Sequence, residues 1–155
     1  MSQTIDANLL LYAVNEDAEE HGQALRLIER LGQGPEIVYL FWPTIMGFLR
    51  IATHPAILPN PLSITDATET IGDLLRRPHV RTPGEATGFW ELYLDTGGAR
   101  TRANDVPDAH LAGLMRQHGV GLIHTRDRDF RRFAGIEIRD STSPLGVTPV
   151  ARQRR

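Results

Sequence analysis

Hydrophobic positions along the chain fall into two patterns, short continuous runs and stretches in which they recur at three or four. Together with proline, glycine and capping signals, the second pattern predicts helices over residues 7–14, 19–31, 43–51, 63–76, 84–95 and 106–118. The short runs predict strands at residues 4–5, 37–42, 80, 121–124 and 136–139. Because strands alternate with helices, we expect an α/β fold, with a mostly parallel central sheet flanked by helices in three layers.

The chain has 155 residues, which suits one domain. We expect that domain to span residues 1–140. The composition from residue 141 onward is dominated by Ser, Thr, Pro and Arg, so residues 141–155 are predicted to form a partly disordered tail.

Two residue types are missing, and their absence excludes several kinds of chemistry. Without cysteine there is no disulfide framework, thiolate zinc site or cysteine nucleophile. All 17 basic residues are arginine, so a P-loop lysine or a Schiff-base lysine is impossible. The net charge of −2 means that any nucleic-acid binding must use a local arginine patch.

Hydropathy gives no sign of a membrane protein. A bilayer span takes roughly 20 apolar residues, and the longest apolar runs are shorter than that. Residues 1–14 also lack the basic start of a signal peptide. We therefore expect a soluble protein of the cytoplasm with no membrane partner.

Aspartates follow the predicted strands at separate places in the chain. Asp6 follows the first strand, Asp127 and Asp129 follow the strand at 121–124, and Asp108 lies in the first turn of the preceding helix. Each alone is explained by helix capping or a turn, which contributes about 1 kcal/mol. Two carboxylates about 4 Å apart repel by about 4 kcal/mol at an effective dielectric of 20. Clustering of these acids would therefore indicate a divalent cation, such as Mg²⁺ or Mn²⁺.

Arginines accompany these acids. Arg126, Arg128, Arg131 and Arg132 interleave with or follow Asp127 and Asp129, and Arg50 lies on the helix after Trp42. Guanidinium groups match phosphate geometry and can position a nucleic-acid backbone, and from this group Arg50, Arg126 and Arg128 are the candidates for RNA binding. Salt bridging on a solvated face is the alternative explanation for each of them.

Four motifs, in order along the chain, resemble those of PIN domains and of VapC toxins of the actinobacterial type. They are residues 6–13 (DANLLLYA), 48–55 (FLRIATHP), 107–112 (PDAHLA) and 125–130 (TRDRDF). The resemblance implies a PIN fold and a Mg²⁺- or Mn²⁺-dependent endoribonuclease that cleaves tRNA or ribosomal RNA. It also implies a homodimer and neutralisation by a cognate VapB-type antitoxin.

By that resemblance, the metal ligands are Asp6, Asp108 and Asp127, with Asp129 as a further catalytic acid. Asn8 and Thr125 fall at positions that support the acids by hydrogen bonds. Water, rather than the 2′-hydroxyl group, would attack the phosphodiester, so the products would carry a 5′-phosphate.

One position departs from the family pattern. Most PIN nucleases carry a glutamate just before the FLR motif, whereas this chain has Gly47 and no acid between Glu36 and Asp66. Loss of that negative charge is expected to weaken metal binding. The alternative function is therefore a PIN-like module that binds RNA or a partner with weak or no catalysis.

Overall fold

A computed structural model describes residues 1–142, which form six α-helices around a five-stranded sheet. The strands are β1 (Gln3–Ile5), β2 (Val38–Tyr39), β3 (Val80–Arg81), β4 (Leu122–His124) and β5 (Glu137–Arg139). The helices are α1 (Ala7–Val14), α2 (His21–Gln33), α3 (Trp42–Ala52), α4 (Ile64–Leu75), α5 (Phe89–Thr96) and α6 (Val106–Gln117). Short 3₁₀ helices cover Gly98–Arg100, Ala103–Asp105 and Arg128–Arg132.

The strands lie in the order β3-β2-β1-β4-β5, and each neighbouring pair is parallel. From β1 the chain builds the sheet outward through β2 and β3, and it then crosses to the other side of β1 for β4 and β5. This reversal makes the gap between β1 and β4 the topological switch point, where α/β folds form their ligand crevice. The predicted fold class is confirmed.

Helices cover both faces of the sheet, because neighbouring residues of the strands enter different hydrophobic clusters. Val38 belongs to a cluster that includes residues of α1, α2, α3 and α4. Tyr39, the next residue, packs against a second cluster built largely from α6 and residues 120–133, with Phe89 and Tyr93 of α5. A two-residue alternation of this kind is expected for a strand buried on both faces.

Two helix starts follow their predicted signals. The Ser63 hydroxyl group accepts a hydrogen bond of 3.0 Å from the Asp66 N–H group, so the predicted cap of α4 is present. Pro43 lies in the first turn of α3, where its missing N–H group costs nothing. The helix itself begins one residue earlier, at Trp42.

The predicted helix over 84–95 is too long at its start, because α5 begins at Phe89. Gly88 adopts a φ of +82°, a left-handed conformation that ends any helix approaching from the N-terminal side. The segment before it is held by α6 instead. His118 Nε2 lies 2.9 Å from the Gly84 carbonyl oxygen, and the Gln117 side chain exchanges hydrogen bonds with the Ala86 backbone.

The predicted end of α2 also shifts. Gly32 lies inside the helix, and the chain leaves it only at Gly34, which has a φ of +76°. A glycine with negative φ weakens a helix without breaking it, whereas one in the left-handed region terminates it.

The C-terminal part of the described chain returns to the sheet. The Ser141 hydroxyl oxygen lies 2.7 Å from His124 Nδ1, and Thr142 is buried. The remainder of the predicted tail, residues 143–155, lies outside the described residues. Within residues 1–142, no helix is long and apolar enough to cross a membrane.

A buried histidine ties β1, β4 and the segment after β5 together. His124 is 1% exposed, and its Nε2 lies 2.7 Å from Gln3 Oε1, while its Nδ1 faces Ser141. Burial, followed by the positive charges of Arg139 and Arg30, lowers its pKa from 6.5 to about 4. The folded protein therefore holds this imidazole neutral at pH values where the unfolded chain protonates it.

We predict that His124 makes the protein less stable as the pH falls from about 6.5 to about 4. In that window the imidazole binds a proton in the unfolded state but not in the folded state. The free energy of unfolding therefore falls by up to about 3 kcal/mol over the window. Urea unfolding at several pH values should show this slope in the parent and a smaller one in His124→Gln. Equal slopes in both proteins would contradict the prediction.

Candidate functional site

The site lies at the carboxyl ends of the two central strands. Ile5 of β1 is the register partner of His124 in β4, so Asp6 and Thr125 leave the sheet side by side. The Asp6 N–H group donates a 3.1 Å hydrogen bond to the His124 carbonyl oxygen, which extends the pairing by one residue. The α6 helix precedes β4 and brings its first turn, with Asp108, toward the same edge of the sheet.

Asp6 uses both carboxylate oxygens in hydrogen bonds. Oδ1 accepts from the Asn8 N–H group at 3.3 Å and thereby caps α1, while Oδ2 accepts from the Thr125 hydroxyl group at 2.8 Å. Burial raises the pKa of Asp6, the two hydrogen bonds oppose that rise, and the charge of Asp127 adds to it. Capping therefore accounts for only one of the two oxygens.

Thr125 links the acids on either side of it. Its buried hydroxyl group donates to Asp6 and accepts a 2.9 Å hydrogen bond from the Asp127 N–H group. The hydrogen bond predicted for Thr125 is thus present. Asn8 also supports Asp6, but through its backbone N–H group, and its side chain is exposed.

Asp108 lies in the first turn of α6 and is partly buried. Burial, followed by the charges of Asp127 and Asp6, raises its pKa to about 6, against a lowering by Arg132. These interactions show that the three predicted metal ligands lie within each other's electric field. The predicted convergence of acids from three chain segments is therefore present in the structure.

Asp127 and Asp129 differ in their surroundings. Asp127 caps the 3₁₀ helix Arg128–Arg132 by accepting a 2.8 Å hydrogen bond from the Asp129 N–H group. The Asp129 side chain is exposed, and it is absent from the charges that shift the pKa values of Asp6 and Asp108. The structure therefore places Asp129 at the rim of the site rather than among the three coupled acids.

The three predicted RNA-binding arginines are all exposed, but they differ in whether they already pair with a carboxylate. Arg126 forms an ion pair with Glu20, and its Nε lies 3.9 Å from Asp140 Oδ2. Within residues 1–142, neither Arg50 nor Arg128 lies within ion-pair distance of a carboxylate.

Arg132 belongs to the arginine group noted after Asp129 but was not among the named RNA-binding candidates, although it contacts Asp108 directly. Its guanidinium group lies 3.3 Å from Asp105 Oδ2 and 3.8 Å from Asp108 Oδ2. Asp105 stands at the N-cap position of α6, but its side chain makes no capping hydrogen bond. The only sequence signal was the position of Arg132 in a basic run after Asp129.

Gly47 faces the start of α1, next to Asp6. A Cβ atom added at Gly47 would lie 3.7 Å from the Ala7 Cβ atom, which is ordinary van der Waals contact. Position 47 therefore lies beside the residue that follows Asp6 and accepts a Cβ atom without a clash.

The donors present suit a hard divalent cation. Asp6, Asp108 and Asp127 offer carboxylate oxygens, the ligands that Mg²⁺ and Mn²⁺ prefer, and their mutual repulsion would be relieved by positive charge. In the described part of the chain, no three acidic or histidine side chains are already gathered tightly enough to hold a metal ion. Mg²⁺ commonly keeps several waters and takes only one or two carboxylates, so these residues fit such an ion.

Comparison with known proteins gives one consistent result. The PIN domain model matches residues 4–136. Ribonuclease VapC48 of Mycobacterium tuberculosis H37Rv is 47% identical over 144 residues, covering 92% of this chain and 99% of the relative. The crystal structure of VapC20 from M. tuberculosis, described as a Sarcin–Ricin loop cleaving toxin, has a TM-score of 0.62 at 18% identity and covers 86% of this chain and 98% of its own. VapBC2 from Rickettsia felis, bound to a promoter DNA fragment, has a TM-score of 0.63 at 11% identity and covers 90% and 98%.

We predict that Thr125→Val destabilises the protein by about 1–3 kcal/mol, because it leaves the Asp127 N–H group and Asp6 Oδ2 without their partner. The same change should raise the pKa of Asp6 further, since the lost hydrogen bond lowers it. Urea unfolding measures the first effect, and a carboxyl-carbon NMR titration of Asp6 measures the second. Thr125→Ser keeps the hydroxyl group and serves as the control. An unchanged Asp6 pKa in the valine variant would contradict the assignment.

Proposed function

Because the chain belongs to the PIN-domain family of VapC ribonucleases, we propose that it is the toxin of a type II toxin–antitoxin system and hydrolyses RNA. The identity to VapC48 extends over nearly the whole length of both chains. The PIN domain model, which matches residues 4–136, includes all three segments that supply the acids of the site. An endonuclease that cuts within tRNA or ribosomal RNA is the specific activity proposed.

One observation supports this proposal above the others. Asp6, Asp108 and Asp127 come from three separate chain segments and lie close enough, where the strand order reverses, for the charge of Asp127 to raise the pKa of the other two. Helix capping does not require such an arrangement, whereas a dication with oxygen ligands does. We assign Asp6, Asp108 and Asp127 as the ligands of Mg²⁺ or Mn²⁺, with Asp129 as a further acid at the rim.

The protein's own residues prepare the site for hydrolysis. Thr125 orients the Asp6 carboxylate and favours its ionised form, because its hydroxyl group donates a hydrogen bond to Oδ2. When bound, Mg²⁺ or Mn²⁺ would activate water and offset charge on the phosphate oxygens. Attack by water leaves the phosphate on the 5′ end of the downstream product.

Exposed arginines would hold the RNA backbone beside the acids. Arg50 and Arg128 are the better candidates, since neither is engaged with a carboxylate within residues 1–142. Arg126 would have to exchange Glu20 and Asp140 for a phosphate. Guanidinium contacts to phosphate position the nucleic acid without reading its sequence.

We also propose a VapB-type antitoxin and a second copy of the chain as partners. The likeness in fold to the toxin of the VapBC2 complex supports the first. The second is supported by exposed apolar side chains on α3 and at the start of α4, namely Trp42, Met46 and Ile64. Large exposed apolar residues are typical of protein–protein contacts.

We predict that Asp6→Asn and Asp108→Asn each lower RNA cleavage by about a hundredfold or more, because each removes charge and a donor from the site. Cleavage of total RNA in Mn²⁺, followed by sequencing of the ends, measures activity and the expected 5′-phosphate. Glu69→Gln, an exposed change on α4, is the matched control. Full activity of the Asp6 variant would overturn the metal assignment.

A second prediction uses the position that lacks the usual acid. Gly47→Glu should bind Mn²⁺ about tenfold more tightly than the parent, because it adds a carboxylate beside Asp6 where a Cβ atom fits. Mn²⁺ titration by electron paramagnetic resonance measures the affinity. Gly47→Gln adds the same length without charge and should leave the affinity unchanged.

The same titration separates nuclease from binding module. If the parent binds no Mn²⁺ at millimolar concentration and yet retains RNA, the alternative of a PIN-like module with weak or no catalysis is correct.

A further inference from the structure

Arg132 is anchored in an unusual position beside the candidate metal site. Its guanidinium group contacts the carboxylates of Asp105 and Asp108, and its central carbon lies 4.8 Å from the centre of the Phe133 ring. Phe133 is itself buried and packs edge-on against Phe130. The side chain of Arg132 nevertheless remains 36% exposed.

No other basic side chain within residues 1–142 lies within 4 Å of Asp6, Asp108 or Asp127. Arg126, which is closer in sequence to Asp127, is paired with Glu20 instead. Arg132 is therefore the internal cation that offsets the charge of Asp108 when no metal ion is bound.

That role cannot continue unchanged once a dication binds. The ion and the guanidinium group would compete for the same carboxylates and would repel each other at short distance. This competition would weaken the ion pair between Asp108 and Arg132. The contact with the Phe133 ring would still keep the Arg132 side chain at the rim of the site. A planar guanidinium group released from a carboxylate is suited to a phosphate, which offers the same paired oxygen acceptors.

We propose that Arg132 is a phosphate-binding residue. It forms ion pairs with Asp105 and Asp108 in the metal-free protein, and it binds an RNA phosphate once a dication has replaced it beside Asp108. This inference rests on the proposed function for its substrate. It singles out Arg132 from the arginines near Asp129 and gives the order of events, in which metal binding precedes phosphate capture.

The first test needs no RNA. Arg132→Gln removes the competing charge, so it should bind Mn²⁺ about threefold to tenfold more tightly than the parent in a paramagnetic resonance titration. Arg132→Lys keeps the charge and should bind as the parent does. Arg131→Gln, an exposed neighbouring change, is the matched control and should also leave the affinity unchanged. Weaker or equal Mn²⁺ binding by Arg132→Gln would overturn the proposal, since a purely structural brace predicts that result.

The second test measures phosphate capture with a short fluorescent single-stranded RNA. In EDTA, the parent and Arg132→Gln should bind it equally. In Mn²⁺, the glutamine variant should lose about tenfold in kcat/KM for cleavage, with partial rescue by lysine, which lacks the fork. If the parent does not cleave this RNA, the site does not have that activity. The affinities of the parent and Arg132→Gln for the RNA in Mn²⁺ are then compared instead. Equal values for parent and glutamine variant in Mn²⁺ would overturn the proposal in either case.

Discussion

The parallel pairing of β1 with β4 determines where every other part of the site lies. With Ile5 opposite His124, Asp6 and Thr125 leave neighbouring strands at the same level, and a single hydroxyl group spans the gap between them. A slip of one residue would turn each side chain to the opposite face of the sheet and break this bridge. His124 stabilises this register, because its ring is buried between Gln3 and Ser141. Packing in the centre of the sheet thus serves the geometry at its edge.

The acids at that edge are tolerated because each has a different source of support. Asp6 has Thr125 and the start of α1, Asp127 caps a 3₁₀ helix, and Asp108 has the N-terminal turn of α6 together with Arg132. Dipoles and hydrogen bonds at helix starts offset part of the repulsion between carboxylates. They do not remove it, since the charge of Asp127 raises the pKa of both Asp6 and Asp108 in addition to the larger effect of burial. The remaining imbalance is what gives such a site an affinity for cations.

Much of this arrangement was predictable because its signals are local. Strand ends, helix starts and the acids beside them are close together in sequence, so the fold class and the convergence of Asp6, Asp108 and Asp127 followed from spacing and resemblance. The start of α5 was not predictable in the same way, because it depends on the conformation of Gly88 and on contacts from α6. The partners of Arg132 were not predictable for a related reason: Asp105 and Asp108 lie more than twenty residues earlier. Long-range ion pairs leave no periodic pattern in a sequence.

The absence of an acid at position 47 affects how the remaining acids and Arg132 together determine metal binding. A family member with a glutamate there has one more negative charge to attract its metal ion, whereas this chain must work with fewer acids and an arginine beside Asp108. A smaller excess of negative charge makes metal affinity more sensitive to where that arginine lies. Binding an RNA phosphate would draw the guanidinium group away from Asp108 and strengthen the hold of the remaining acids on the cation. Metal and substrate would then favour each other's binding, as thermodynamic linkage requires when both compete with one internal contact.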